Sequence, residues 1–139
     1  MNSIPLDMYD SVLELTVEIT NATLAEDDAL SQSLYLRLLI YYQEQIAAGR
    51  THPFLTETVA DYTDDSTEAM HYYKLALEQS HALGDSEPTQ TIRIGIASKL
   101  LELGQREQAE AHLRDGRAEA IRRGDEFAVE EADLLLKEI

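Results

Sequence analysis

The chain of 139 residues has no cysteine and no tryptophan, and it holds few prolines, glycines and basic side chains. The absence of cysteine excludes disulfides, thiolate nucleophiles and cysteine-bound zinc. No apolar run approaches the roughly 20 residues that cross a bilayer, so we expect no membrane span. Residues 1–20 carry acids and no basic leader, which argues against a signal peptide. We therefore predict a cytoplasmic protein.

Basic residues are scarce relative to acids: 11 Lys and Arg stand against 27 Asp and Glu, a net charge of −16. Residues 1–65 hold 12 acids and two bases, a net of −10, whereas residues 66–139 hold 15 acids and nine bases, a net of −6. Such a field repels nucleic acid and anionic membranes and attracts basic proteins. We expect a protein partner, with solubility alone or acidic mimicry of DNA as the alternatives.

Motifs of catalysis and cofactor binding are also missing. The sequence has no glycine-rich phosphate loop, no glycine-flanked serine elbow and no calcium loop. Glu68 and His71, and Glu78 and His81, have the spacing of di-iron ligand pairs, but both pairs fall in one predicted helix, too far apart to share a metal ion. We therefore predict that the protein is not an enzyme and binds neither cofactor nor metal.

Proline and glycine divide the chain into helical segments. Pro5, Pro53 and Pro88 stand where helices begin, and Gly84 and Gly124 stand where they end. Apolar residues recur at helical spacing between these points. The pattern predicts an all-α fold of about seven antiparallel helices. They cover about residues 6–23, 29–49, 53–62, 66–83, 88–103, 105–123 and 126–137.

The first segment alone is ambiguous. Leu13, Leu15, Val17 and Ile19 alternate with polar residues, which is strand spacing. We favour a helix because no second strand-like run is present to satisfy the backbone of the first. The expected inward face of this helix comprises Tyr9, Val12, Leu13, Thr16 and Ile19.

The second half contains an internal period of 40 residues. The matched pairs are Ala69 with Ala109, Tyr73 with Leu113, Ala76 with Gly116, and Gly84-Asp85 with Gly124-Asp125. Small residues thus correspond to small ones in the two copies, and large residues correspond to large ones. Asp65, with Glu68 three residues on, is expected to cap one helix, and Asp125 to cap the last.

Residues 54–139 resemble tetratricopeptide repeats. The likeness rests on Ile96-Ala97, Leu100, Gly104, Ala109, Leu113 and Gly116 of residues 90–121, with a second, more divergent copy in residues 57–84. Arg93 stands at the usual Trp position, and Ile121 stands at that of the closing Pro. The resemblance implies stacked helical hairpins that form a solenoid or bundle and bind proteins in a concave groove.

A second resemblance concerns the acidic half. Residues 6–84, from LDMYDSVLELTVEIT to the glycine-terminated helix, are similar in layout to small helical immunity proteins of type VI secretion effectors. This likeness implies a protein that neutralises a cognate, basic secreted toxin by covering its active site. The alternative is a tetratricopeptide adaptor or secretion chaperone that holds a peptide or helix. The wide apolar stripes of the second helix also leave a homodimer open.

These resemblances predict one helical domain over residues 1–139, with an acidic N-terminal hairpin in residues 1–50. Residues 51–139 would form the repeat-like hairpins, and the last helix would cap them. Acidic and tyrosine side chains suit fast association and anchoring to a basic partner. The predicted partner-binding residues are Tyr42, Glu44, Asp61, Tyr62, Asp64, Asp65 and Tyr72.

Overall fold

The computed structural model describes residues 4–85 and 87–139, which form seven α-helices and no strand. The helices are α1 (Leu6–Leu24), α2 (Asp28–Ala47), α3 (Pro53–Asp61), α4 (Ser66–Leu83), α5 (Gln90–Glu102), α6 (Arg106–Arg123) and α7 (Glu126–Leu136). Their bounds lie within about two residues of those predicted. The all-α class is confirmed. Among the described helices, none has the length and apolarity to cross a membrane.

Aspartates start three of the helices. The carboxylates of Asp27, Asp65 and Asp125 accept hydrogen bonds from the amides three residues later, at 3.1, 2.8 and 3.1 Å. Each bond satisfies an amide that has no partner within its helix. The predicted caps at Asp65 and Asp125 are confirmed. At the other end, Gly124 adopts a φ of 71°, a left-handed conformation that stops α6.

Helix α1 buries a different face from the one predicted. Its buried side chains are Met8, Val12, Leu15, Ile19 and Ala22. Tyr9 and Leu13 are 42% and 47% exposed, so the prediction that they point inward is wrong. Leu13 and Leu15 lie about 200° apart on the helix, so an apolar residue at every second position places two apolar stripes on opposite sides. The strand-like alternation in the sequence therefore arises from two apolar stripes on opposite sides of one helix.

Two hydrophobic clusters form the core. The first joins α1 and α2 to Leu55 and Val59 of α3. The second runs from Ala60 of α3 through α4, α5, α6 and α7. Tyr72 of α4 packs against both clusters. Helix α3 therefore links the acidic N-terminal hairpin to the C-terminal helices.

Helices α4 to α7 pack in sequence order. The start of α4 is bound to the end of α5 through Ser66 and Glu102, which shows that the two helices are antiparallel. The start of α5 is bound to the end of α6, where Glu119 accepts the amide of Thr89 at 2.8 Å. Helix α5 also contacts α7 directly. Gln90 donates to Asp125 at 3.0 Å, so the starts of α5 and α7 lie together and these helices run parallel.

The matched positions of the 40-residue period occupy equivalent places in α4 and α6. All six residues of the three pairs are buried: Ala69 and Ala109, Tyr73 and Leu113, Ala76 and Gly116. Outside these pairs two apolar side chains near helix ends are exposed: Ile121 of α6 at 56% and Leu103, which follows α5, at 43%.

Candidate partner-binding site

An acidic cleft of about 610 Å³ lies between the N-terminal hairpin and the joint of α3 and α4. Its carboxylates are Asp28, Asp61, Asp64, Asp65 and Glu68, and no Lys, Arg or His of the described chain lines it. Asp28 belongs to α2 and Asp61 to the end of α3, Asp64 and Asp65 lie in the turn before α4, and Glu68 lies in its first turn. Carboxylates brought together without counter-charges produce a strong local negative potential in a concave space.

Hydrogen bonds from hydroxyl groups fix the floor of the cleft. Thr63 donates its proton to the carbonyl of Val59 at 2.7 Å. The phenol of Tyr35 lies 2.7 Å from the Thr63 oxygen and must therefore be the donor in that bond. This bond ties the middle of α2 to the end of α3. The two sides of the cleft are thus held at a defined separation.

The five carboxylates of the cleft differ in the hydrogen bonds and ion pairs that they form. Asp65 caps α4, and Asp61 accepts a hydrogen bond from the phenol of Tyr73. Asp28, Asp64 and Glu68 form no ion pair with any residue in the described part of the chain, and all three are exposed. These three side chains are free to bind a cationic group supplied from outside.

Asp61 also belongs to a second acidic group, which spans α3 and α7. Burial, followed by the charges of Asp61 and Glu131, raises the pKa of Glu57 to about 7, although a hydrogen bond with Thr91 opposes the shift. Burial and Glu131 likewise raise the pKa of Asp61, against the hydrogen bond from Tyr73. Asp61 nevertheless keeps contact with solvent. Glu57, Asp61 and Glu131 thus form a group of acids that repel one another when they are ionised.

The cleft brings together four of the predicted partner-binding residues. Asp61, Tyr62, Asp64 and Asp65 all line it. This proximity follows from their positions at the end of α3 and in the short turn before α4. No three His, Asp or Glu side chains among the described residues are placed to share one metal ion.

The other three predicted residues lie elsewhere. Tyr42 is only 5% exposed, so it is a core residue rather than a surface contact, and that prediction needs correction. Its ring packs edge-to-face with Tyr72 at a centroid distance of 5.8 Å, which leaves Tyr72 half-buried. Glu44 is exposed but lines a different cavity, between α1 and α2.

Sequence reasoning missed several residues of the site. Asp28, Tyr35 and Glu68 line the cleft but were not among the predicted partner-binding residues. Glu57 and Glu131 are distant in sequence, and no local pattern connects them. The packing of α3, α5 and α7 alone brings the latter two acids near each other.

Compared with protein-family models, with curated proteins and with solved structures, the chain matches none of them.

Proposed function

We propose that this protein neutralises a basic protein partner, a secreted toxin or effector domain, by binding over the partner's active site. The observation that carries the proposal is the cleft in which five carboxylates face a common space without a basic side chain among the described residues. Like charges that share a concave space repel one another, and a cation placed among them relieves that repulsion. Lysine and arginine side chains of a partner would supply such cations.

The whole charge distribution supports the same partner. The half of the chain that forms most of the cleft, residues 1–65, has a net charge of −10 from 12 acids and two bases. A negative field of this kind accelerates the encounter with a basic protein. Tyr35 and Tyr62, which line the cleft, offer rings on which an arginine guanidinium can stack. The similarity of residues 6–84 to immunity proteins points to a toxin as the partner.

A pair of matched triple variants tests the proposal. Asp28→Asn, Asp64→Asn and Glu68→Gln neutralise the three unpaired acids of the cleft and spare the caps Asp27 and Asp65. The control, Asp115→Asn, Glu130→Gln and Glu138→Gln, removes the same charge from exposed positions on or after α6 and α7. Both variants, immobilised, would be compared with the wild type in capturing proteins from the native cell, followed by mass spectrometry.

We expect the wild type and the control variant to retain the same basic protein, and the cleft variant to lose it. Stopped-flow association with that protein should slow by about tenfold for the cleft variant at low salt. It should slow less for the control, whose charges do not line the cleft. Equal association rates for the two variants would show that the cleft does not bind the partner. An acidic or neutral captured protein would contradict the proposal as a whole.

An adaptor that holds a peptide or helix is the second candidate, and the direct contact of α5 with α7 favours it. Odd-numbered helices that lie close together on one side are what a tetratricopeptide-like groove requires. Peptide capture in such a groove depends chiefly on apolar contacts and backbone fit. Association that changes little between about 0.05 and 0.5 M salt would therefore favour the adaptor over toxin neutralisation.

A further inference from the structure

Helix α1 carries an apolar stripe on the side that faces away from the core. Leu6, Leu13, Val17 and Leu24 are 74%, 47%, 50% and 78% exposed. Their spacings of seven, four and seven residues place all four on one line along the helix. The stripe spans about 27 Å, or five helical turns, at 1.5 Å per residue. Four exposed apolar side chains aligned over this length indicate an interaction surface rather than scattered exposed residues.

Acids border this outer stripe on one flank. Asp10 and Glu14 are exposed and lie within about 80° of the stripe. Neither forms an ion pair with a cation in residues 4–85 or 87–139. Glu14 also lines a shallow cavity of about 330 Å³ between α1 and α2, together with Glu18 and Glu44. One base, Arg37, lines that cavity, and it lies 3.8 Å from Glu18.

The apolar stripe of α1 and its acidic flank together favour one kind of binding partner. An apolar line five turns long matches the apolar face of another amphipathic helix. The acidic flank then requires that this helix carry lysine or arginine beside its apolar face. A second copy of this chain would instead bring its own acids towards Asp10 and Glu14, which is unfavourable. An anionic membrane surface is disfavoured for the same reason.

We infer that the outer face of α1 is a docking surface for a basic amphipathic helix of a protein partner. This surface lies outside the acidic cleft, so it does not depend on the function proposed for that cleft. The apolar stripe provides the binding energy, and the carboxylates of Asp10 and Glu14 determine the sign of charge and the orientation of the bound helix.

A designed peptide tests the inference directly. The probe is a fluorescently labelled Leu–Lys amphipathic peptide of about 15 residues, long enough to form a helix on binding. A Leu–Glu peptide of the same pattern is its charge-reversed counterpart. Binding to the full chain would be followed by fluorescence anisotropy and by peptide circular dichroism at about 0.15 M salt, where long-range attraction is screened. We expect the Leu–Lys peptide to bind as a helix and the Leu–Glu peptide not to bind.

Two double variants locate the surface. Leu13→Gln with Val17→Gln should weaken binding of the Leu–Lys peptide at least about tenfold. Phe127→Gln with Leu134→Gln, which removes two even more exposed apolar side chains from α7, should leave binding unchanged. Because all four positions are exposed, both variants should keep the wild-type helical content, which circular dichroism checks. Asp10→Asn with Glu14→Gln should reduce affinity about threefold.

Several results would overturn the inference. One is equal loss of binding in the α1 and α7 variants. Another is binding of the two peptides with equal affinity. A third is a homodimer, detected by analytical ultracentrifugation, that Leu13→Gln with Val17→Gln dissociates, because the stripe would then be covered by a second copy. The triple variant of the cleft distinguishes this surface from the proposed function, since it should retain the Leu–Lys peptide at the α1 stripe.

Discussion

Glu57 illustrates how one side chain can make stability depend on pH. Burial, together with the charges of Asp61 and Glu131, raises its pKa from 4.5 to about 7. Between these two values the folded protein binds more protons than the unfolded chain does, so stability decreases as pH rises through this window. Below the lower value the carboxyl is protonated in both states, and the penalty disappears.

We predict that Glu57→Gln stabilises the protein by about 3 kcal/mol at pH 8, because a rise of the carboxyl pKa from 4.5 to about 7 corresponds to roughly that energy. The amide keeps a donor and an acceptor for Thr91 but carries no charge. Near pH 4 the variant and the wild type should have similar stability. Urea unfolding at the two pH values measures the difference.

The control is Glu14→Gln, which removes an exposed carboxylate of α1 and should change stability little at either pH. A gain in Glu57→Gln that is the same at pH 4 and pH 8 would mean that packing rather than charge accounts for it.

At the scale of helices, the contact of α4 with α5 depends on Gly95. A Cβ added at Gly95 would lie 2.5 Å from Cε1 of Tyr73, a severe overlap. The ring of Tyr73 cannot easily move aside, because it is 4% exposed and its hydroxyl is bound to Asp61. At the position that matches Tyr73 in the 40-residue period, α6 has the smaller Leu113.

Gly95→Ala should destabilise the protein by about 1–3 kcal/mol through overpacking. This sign is opposite to the gain of nearly 1 kcal/mol that alanine normally gives inside a helix. Tyr73→Leu would create the room that the new methyl group needs. In a double-mutant cycle measured by urea unfolding, the combined variant should therefore lose clearly less stability than the sum of the two single losses. Additive losses would show that the ring does not contact the added methyl group.

In helix α1, the position of the helix in the fold decides which of its two apolar faces is buried. Its inner stripe packs in the first hydrophobic cluster, whereas its outer stripe, with Leu13 and Val17, is exposed. Both stripes have helical spacing, so the sequence cannot rank them. The side on which α2 and α3 pack decides which stripe is buried. The expected inward face was wrong for this reason.

At the scale of the whole molecule, a net charge of −16 opposes folding through self-repulsion. The six described ion pairs, most of them exposed, offset little of it. In the cleft, Asp28, Asp64 and Glu68 lie without counter-charges among the described residues, so their repulsion is not offset locally. Added salt screens such interactions over a Debye length of about 10 Å or less.

We therefore predict that raising salt from about 0.05 to about 0.5 M at pH 7 increases the melting temperature by several degrees. The triple cleft variant should melt higher than the control triple variant at low salt, because its charges are closer together. The two melting temperatures should converge at high salt. Calorimetry at both salt concentrations tests this, and a melting temperature that falls with salt would mean that attractive ion pairs outweigh the repulsion.

The sequence by itself determined the helices and their ends. Helical periodicity, aspartate caps and the left-handed glycines act within one or two turns of chain, so their effect is visible without knowledge of the fold. The burial of Ala69, Tyr73 and Ala76, and of the residues 40 positions later, was also predictable. The period of 40 places residues of similar size at equivalent positions of two helices, where each must pack in the core. Within the site, Asp61 to Asp65 could be predicted as a group because they are close in sequence.

Only the tertiary structure decided which surfaces these helices form together. It placed Asp28 of α2 and Asp64 around one cleft, brought Glu131 of α7 within electrostatic reach of Glu57, and packed the buried ring of Tyr42 against Tyr72. These relations join residues on different helices, and they depend on how the helices pack rather than on local sequence. Local interactions specify where a helix begins and ends, whereas burial and charge proximity depend on the neighbours that packing supplies.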